Sequence, residues 1–164
     1  MYAIWFLFEK NDKEYFSQII SKLSNQYGSP IFTPHVTVYG LIDTELEELD
    51  EIILDSINGI HSFNIEKNIL SFSDDFWKTL FVEFNSNDEM QEINKNLTQH
   101  LSKFARYELK PHLSLIYKEM STEEKQRLSD TLEIKNSFKI TGIGIQLFSE
   151  RIDEWKIVRE HQLG

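Results

Sequence analysis

The chain has 164 residues, 40% of them hydrophobic and none of them cysteine, and its formal net charge is −10 at pH 7. This length favours one domain over residues 1–164, and the absence of cysteine excludes disulfides, thiolate catalysis and cysteine-based zinc sites. No apolar stretch is long enough to cross a bilayer, and the acidic charge argues against long nucleic acids as partners. We therefore expect a cytoplasmic, monomeric protein that binds neither a membrane nor a long nucleic acid.

Hydrophobic patterning in the first half of the chain predicts alternating strands and helices. Ala3–Phe8 is predicted to be a strand and not a signal peptide, because it lacks a basic start and a small-residue cleavage site. Apolar residues at helical spacing predict a helix that opens near Asp12 and ends before Gly28. The acidic run Asp43–Glu51 is predicted to be the solvated face of a second helix. The other strands predicted in this half are Phe32–Leu41, Phe63–Phe72 and Thr79–Phe84.

The second half continues this alternation. A capping box of Ser86 and Glu89 is predicted to open a helix whose apolar stripe extends to Phe104. A second capping box, Ser121 with Glu124, predicts a short helix further along the chain. The strands predicted around that helix are Lys110–Tyr117, Phe138–Phe148 and Glu154–Arg159. This mixture of helices and strand pairs predicts an α+β fold.

Two short segments have nearly the same sequence, Pro-His-Val-Thr-Val in the first half and Pro-His-Leu-Ser-Leu in the second. Alternation at period two puts His35 and Thr37 on one face of a strand. It puts His112 and Ser114 on the corresponding face of another strand. Chance alone could produce two His-x-Ser/Thr sequences, and a single strand histidine is more often structural than catalytic. A functional interpretation therefore depends on the shared context of the two segments.

Other parts of the chain also repeat when His35 is superposed on His112, an offset of about 77 residues. The matching pairs keep their order along the chain: Asn11-Asp12 with Asn87-Asp88, Phe63-Asn64-Ile65 with Phe138-Lys139-Ile140, and Trp77-Lys78 with Trp155-Lys156. We interpret the chain as a duplicated unit with one histidine strand in each half. If each half forms a sheet, a pseudo-two-fold axis brings both histidine strands to a central cleft.

Two imidazoles beside two hydroxyls are the groups needed for acid–base chemistry on a phosphate. One histidine can deprotonate water while the other protonates the leaving oxygen, and Thr37 and Ser114 can donate to the non-bridging oxygens. We assign the base to His112 and the acid to His35, although the pseudo-symmetry leaves the reverse assignment open. We expect neither a metal nor a cofactor, because two histidines without a carboxylate on the same face form a poor zinc site.

The paired His-x-Thr and His-x-Ser strands resemble those of the 2H phosphoesterases, and the chain is most similar to the small cyclic phosphodiesterases of plants. The similar stretches are Ala3-Ile4-Trp5, Phe32–Val38, Pro111–Tyr117, Met120–Lys125 and Glu154-Trp155-Lys156. The resemblance implies a bilobal, duplicated fold with two antiparallel sheets flanked by helices around a central cleft. It also implies hydrolysis of a nucleoside 2′,3′-cyclic phosphate to the 2′-phosphate, or of ADP-ribose 1″,2″-cyclic phosphate to the 1″-phosphate.

The resemblance implies further contacts with a small nucleotide. It places Tyr117 at the phosphate, although a regular strand would point Tyr117 away from His112, so a bulge or a strand end is required. It also assigns Trp5 and Trp77 to aromatic walls around the ribose and base, where stacking tolerates different bases. The alternative for either tryptophan is an ordinary core position. Trp155, which matches Trp77 in the repeat, is interpreted as structural.

Two other functions are compatible with this sequence. An RNA-end enzyme, similar to the 2′–5′ RNA ligase or RNA-trimming branches of the superfamily, would share the motifs but would benefit from a basic groove. A catalytically idle nucleotide- or partner-binding module would be expected to lack at least one of the four motif residues, and all four are present. Lys110 or Lys118 could still provide a local basic lining within the acidic chain.

Overall fold

A computed structural model describes all residues from 1 to 164 and contains four α-helices and seven β-strands. The strands are β1 Tyr2–Phe8, β2 Val36–Ile42, β3 Phe63–Phe72, β4 Leu80–Phe84, β5 His112–Ile116, β6 Ser137–Leu147 and β7 Lys156–Gln162. The helices are α1 Lys10–Tyr27, α2 Leu46–Ser56, α3 Asp88–Leu101 and α4 Thr122–Thr131, with short 3₁₀ helices at Phe76–Lys78 and Ile152–Glu154. The predicted α+β class is confirmed. None of the helices combines the length and the apolar composition needed to cross a membrane.

The strands follow the order β2-β1-β6-β3-β4-β5, β7 pairs with β6, and all pairs are antiparallel. Strand β3 divides this sheet into two units, because Phe63–Glu66 pairs with β6 and the segment from Lys67 to Phe72 pairs with β4. The two antiparallel sheets expected from the resemblance therefore share β3.

The strands do not segregate by halves of the chain. Strand β6 lies beside β1, and β3 lies beside β4, so each unit combines strands from both halves. The expectation that each half forms its own sheet is therefore wrong. The offset of about 77 residues relates β1 to β4, β2 to β5 and β3 to β6. Exchanging the two strands of each pair gives the same strand order, read from the opposite edge of the sheet. This symmetry of strand order is consistent with a duplicated unit.

One large core lies between the sheet and the helices. Helix α1 buries Phe16 and Ile20 in this core, as its helical spacing predicted. Strand β1 is buried on both faces, since Ile4, Phe6 and Phe8 point into the large core. The alternate residues of β1 form a separate small cluster of Ala3, Trp5 and Leu7. Burial on both faces explains why β1 is apolar throughout and has no alternating pattern.

Some element boundaries differ from the sequence-based prediction. Strand β2 begins at Val36, because its pairing with β1 starts there, so His35 lies just before the strand. The capping box predicted at Ser86 is wrong, and the N-cap of α3 is Asn87, whose side chain accepts a hydrogen bond from Met90 N at 2.9 Å. The Asn87 amide also donates to Asn64 O on β3, a long-range contact that fixes the cap.

Other boundaries agree more closely. The Ser121 hydroxyl accepts a hydrogen bond from Glu124 N at 3.2 Å, as the second predicted cap requires. Helix α1 begins two residues before Asp12, and Phe104 lies outside α3. Glu154 belongs to a 3₁₀ helix and not to the last strand. Helix ends are set partly by tertiary contacts, so differences of this size are expected.

Candidate active site

One cavity of about 300 Å³ brings together all seven residues predicted for the site. They are Trp5, His35, Thr37, Trp77, His112, Ser114 and Tyr117. Strands β2 and β5 are at opposite ends of the strand order, yet they contact each other. The sheet therefore curves until its two edges meet, and the two histidine segments face one cleft.

Both histidine rings are held by the same backbone arrangement. His35 Nδ1 lies 2.7 Å from Thr33 O, and His112 Nδ1 lies 2.7 Å from Lys110 O. A carbonyl oxygen can only accept, so each Nδ1 carries the hydrogen and donates it. In each neutral ring, Nε2 then has a free lone pair and can act as a base, or as an acid once protonated.

The surroundings of the two rings differ. His35 is only 7% exposed and stacks face to face on Trp5, with ring centroids 3.5 Å apart and planes at 10°. Burial lowers the pKa of His35 to about 4, the bond to the Thr33 carbonyl opposes this shift, and a positive charge on His112 adds to it. His35 is therefore neutral at pH 7 in the free protein.

His112 is half-buried, and the edge of its ring contacts Phe81, with centroids 5.7 Å apart at 75°. Burial lowers the pKa of His112, and the bond to the Lys110 carbonyl raises it. The Lys78 ammonium lowers the pKa further, whereas Glu83 and Asp75 raise it.

The two predicted hydroxyl donors differ in their hydrogen bonds within the protein. Ser114 Oγ donates to the backbone carbonyl of Trp77 at 3.0 Å. The Thr37 hydroxyl lines the cavity and has no hydrogen-bond partner within the protein. Thr37 can therefore donate directly to a ligand, whereas Ser114 must first leave its bond to the carbonyl.

Tyr117 lines the cavity, and both of the predicted alternatives, a bulge and a strand end, occur just before it. Strand β5 ends at Ile116, and Phe81 and Leu80 pair with Ser114 and Ile116, so one residue of β5 is bulged between them. Burial raises the pKa of Tyr117 to about 12, although the neighbouring Ser114 hydroxyl opposes the shift. The phenol is therefore neutral at pH 7 and keeps a proton to donate.

The three tryptophans form an aromatic cluster at the cavity. Trp5 is 3% exposed, and His35 covers one face of its indole. Trp77 is 38% exposed and stacks on Trp155, with centroids 5.9 Å apart and planes at 18°. Trp155, which the sequence interpretation treated as structural, also lines the cavity, and its Nε1 donates to Ser149 O at 2.6 Å.

Sequence reasoning missed several cavity residues: Asp75, Lys78, Tyr107, Gln146 and Phe148. Asp75, Lys78, Tyr107 and Phe148 lie outside the strands, and Gln146 lies on β6, far along the chain from both motifs, so the motif pattern does not mark these residues. The basic lining predicted from Lys110 or Lys118 is wrong. Lys110 forms a salt bridge with Glu108, and Lys118 Nζ donates to Tyr27 O, so neither lysine lines the cavity. The structure also has no group of three or more His, Asp or Glu side chains arranged to hold a metal ion.

The sequence matches the family described as "Cyclic phosphodiesterase-like protein" over residues 1–163. The chain belongs to this family. Among the relatives of this cyclic phosphodiesterase-like protein is the cyclic phosphodiesterase of Arabidopsis thaliana. The two sequences are 23% identical over 147 residues, which cover 90% of this chain and 81% of the relative.

Solved structures show that this cyclic phosphodiesterase-like protein has the 2H phosphoesterase fold. A phosphoesterase crystal structure superposes with a TM-score of 0.66 at 13% identity and covers 99% of this chain and 97% of that chain. Escherichia coli LigT in complex with 3′-AMP superposes with a TM-score of 0.61 at 10% identity and covers 99% of this chain and 96% of that chain. The resemblance drawn from the histidine motifs is confirmed for family and fold.

Proposed function

We propose that this protein is a metal-independent phosphodiesterase that hydrolyses a cyclic phosphate on a ribose. The proposal is carried by one observation: two histidines, each with its Nδ1–H held by a backbone carbonyl, line one cavity together with Thr37 and Ser114. The small substrates that suit this cavity are nucleoside 2′,3′-cyclic phosphates, opened to the 2′-phosphate, and ADP-ribose 1″,2″-cyclic phosphate, opened to the 1″-phosphate.

The reaction needs one neutral and one protonated histidine. The neutral histidine takes a proton from water at Nε2 as the water oxygen bonds to phosphorus. The other histidine donates its Nε2 proton to the ribose oxygen as the ring P–O bond breaks. Each transfer contributes typically about 10²–10⁴-fold. Both histidines are regenerated when the product leaves and the protons exchange with water.

The assignment of His112 as base and His35 as acid stays a prediction, and burial sets a condition on it. The pKa of His35 is about 4 in the free protein, so His35 can act as an acid only if the bound phosphate raises that pKa. An anion within a few ångströms of an imidazole has this effect. NMR titration of His35 with and without inorganic phosphate tests the condition. A pKa that stays near 4 with phosphate bound would favour His35 as the base.

Three donors can stabilise the charge that develops on the non-bridging oxygens. Thr37 has a free hydroxyl, Ser114 can rotate from its carbonyl partner, and Tyr117 carries a neutral phenol. Donors aimed at developing charge typically provide the largest electrostatic contribution to such reactions.

The base of the nucleotide is best accommodated by Trp77, whose indole is exposed and supported from behind by Trp155. Stacking on such a surface contributes roughly 1–3 kcal/mol per base. The predicted wall role of Trp5 has less support, because this indole is nearly fully buried and one face is covered by His35.

The deciding experiment is hydrolysis of adenosine 2′,3′-cyclic phosphate in EDTA by wild type, His35→Ala and His112→Ala, with the product isomer identified by chromatography. We expect each substitution to reduce kcat by about 10²–10⁴-fold and the wild-type product to be 2′-AMP. His100→Ala is the matched control, since His100 contacts Asp55 and does not line the cavity. Activity that survives both substitutions would show that these histidines are structural.

The outcome also separates this proposal from its alternatives. Wild type that turns over neither small cyclic phosphate, but processes RNA ends, would indicate an RNA-end enzyme. Wild type that binds nucleotide without any turnover would indicate an idle binding module. The acidic chain and the single lysine in the cavity disfavour a groove for RNA.

A further inference from the structure

The catalytic cavity contains one lysine side chain, Lys78, whose charge has no part in the proton transfers described above. Lys78 is half-buried and ends the 3₁₀ helix Phe76–Lys78. Its Nζ lies 4.5 Å from the centre of the Phe81 ring. The same ring meets the His112 imidazole edge to face. Lys78 and His112 therefore both contact the Phe81 ring.

The backbone that presents this lysine is fixed. The Lys78 carbonyl accepts a hydrogen bond from Ser73 Oγ at 2.6 Å, and the Lys78 N–H donates to Asp75 O at 2.9 Å. The next residue, Thr79, is buried, and its hydroxyl donates to Phe76 O at 2.8 Å. A fixed backbone and an aromatic support limit the positions of the ammonium, so less conformational entropy is lost when it binds a ligand.

Lys78 has no partner of opposite charge. The salt bridges of the chain all involve other residues. Asp75, the one carboxylate among the cavity-lining residues, accepts a hydrogen bond from Trp77 N. A half-buried ammonium without a counter-ion favours the binding of an anion beside it.

We propose that Lys78 binds the anionic phosphate of the substrate on the His112 side of the cavity and neutralises the charge that this phosphate gains. The inference rests on the proposed function and names a further residue for the same site. Hydrolysis forms a P–O bond to water and breaks the ring P–O bond, so a singly charged diester becomes a monoester with up to two charges. A neighbouring cation therefore stabilises the transition state and product more than the substrate.

The same position gives Lys78 a second, independent effect. Among the charged groups that face His112, Lys78 lowers the pKa of the imidazole, whereas Glu83 and Asp75 raise it. His35 faces His112 across the cavity. Removing the Lys78 charge must therefore raise the pKa of His112. A lysine whose ammonium lies far from His112 would leave this pKa unchanged.

The experiment compares wild type with Lys78→Met and Lys78→Arg, with inorganic phosphate as the binding probe and adenosine 2′,3′-cyclic phosphate as the substrate. We expect Lys78→Met to weaken phosphate binding and to lower kcat/KM by about 10- to 100-fold, the loss of one charge-assisted hydrogen bond. The pKa of His112, followed by NMR, rises in Lys78→Met. Lys78→Arg recovers most of the affinity and the wild-type pKa.

Lys103→Met is the matched control. Lys103 Nζ lies 4.8 Å from the centre of the Phe104 ring and pairs with Glu48, outside the cavity. Its replacement removes the same charge and a similar contact with an aromatic ring, and we expect less than twofold change in phosphate affinity. The proposal is overturned if Lys78→Met keeps wild-type phosphate affinity, if the His112 pKa does not move, or if Lys103→Met loses equal affinity. A wild type without hydrolase activity would contradict the proposed function alone, because phosphate binding and the His112 pKa still report on Lys78.

Discussion

The two histidine motifs are alike in their backbone and different in what packs against each ring. In both, Nδ1 donates to the carbonyl two residues earlier. The hydroxyl residue of each motif pairs across the sheet with an aromatic residue, Thr37 with Trp5 and Ser114 with Phe81.

These equivalent aromatic residues contact the imidazoles differently. Trp5 lies flat against His35 and buries it, whereas Phe81 meets His112 edge to face and carries the Lys78 ammonium on its ring. The same backbone arrangement therefore holds a buried, neutral histidine in one motif and a more exposed histidine beside a cation in the other. This difference can distinguish an acid from a base in a site whose motifs are otherwise interchangeable.

The largest effects of substitution are expected at the two motif hydroxyls, which should differ in their contribution to stability. We expect Thr37→Val and Ser114→Ala each to lower kcat by about 10²–10³-fold, the usual cost of losing a donor to developing charge. Only Ser114→Ala should also lower the free energy of unfolding, by about 1 kcal/mol, because only Ser114 donates to a backbone carbonyl in the free protein. Steady-state kinetics and urea denaturation measure the two quantities.

Thr131→Val is a suitable control for this pair, since Thr131 Oγ1 donates to Arg127 O on the remote helix α4. It should leave kcat unchanged. Equal destabilisation by Thr37→Val and Ser114→Ala would contradict the difference described between the two hydroxyls.

The next effect is expected at the aromatic residues. Trp5→Leu should lower the free energy of unfolding by about 2–4 kcal/mol, as large-to-small changes in packed cores do. It should also raise the pKa of His35 towards 6.5, the value of an unburied histidine, because water reaches the uncovered ring. Phe81→Leu should shift the pKa of His112 less, since Phe81 contacts that ring only at its edge. Urea denaturation and NMR titration measure both variants, and an unchanged His35 pKa in Trp5→Leu would disprove the role of stacking.

The sequence allowed the motifs, the α+β class and most elements to be predicted, because these depend on local pattern. Period-two alternation placed His35 with Thr37 and His112 with Ser114 on one face of each strand, and these are the faces that line the cavity. The pattern could not reveal that Trp5 covers His35, because that contact depends on the long-range pairing of β1 with β2.

Lys78 and Trp155 were missed as site residues for a related reason. Each belongs to, or directly follows, a 3₁₀ helix of only three residues, which is too short to show a periodic pattern in the sequence. The position of Tyr117 at the phosphate required a bulge or a strand end, and the alternation could not show which of the two occurs or where.

The smallest expected effect is the dependence of stability on pH. His35 has a pKa of about 4 in the folded protein and about 6.5 when unfolded, so between these values the unfolded chain binds more protons. The contribution of His35 to stability is therefore complete above pH 6.5 and is lost as the pH falls towards 4. Between pH 7.5 and 5.5, wild type should lose about 1 kcal/mol more of its free energy of unfolding than His35→Asn, which has no titrating group. The corresponding difference in pH dependence between wild type and His112→Asn should be smaller, because the His112 ring is less buried than the His35 ring. Equal pH slopes for wild type and His35→Asn would mean that His35 is not held neutral by burial, and the contrast between the two motifs would then lie in their hydroxyls alone.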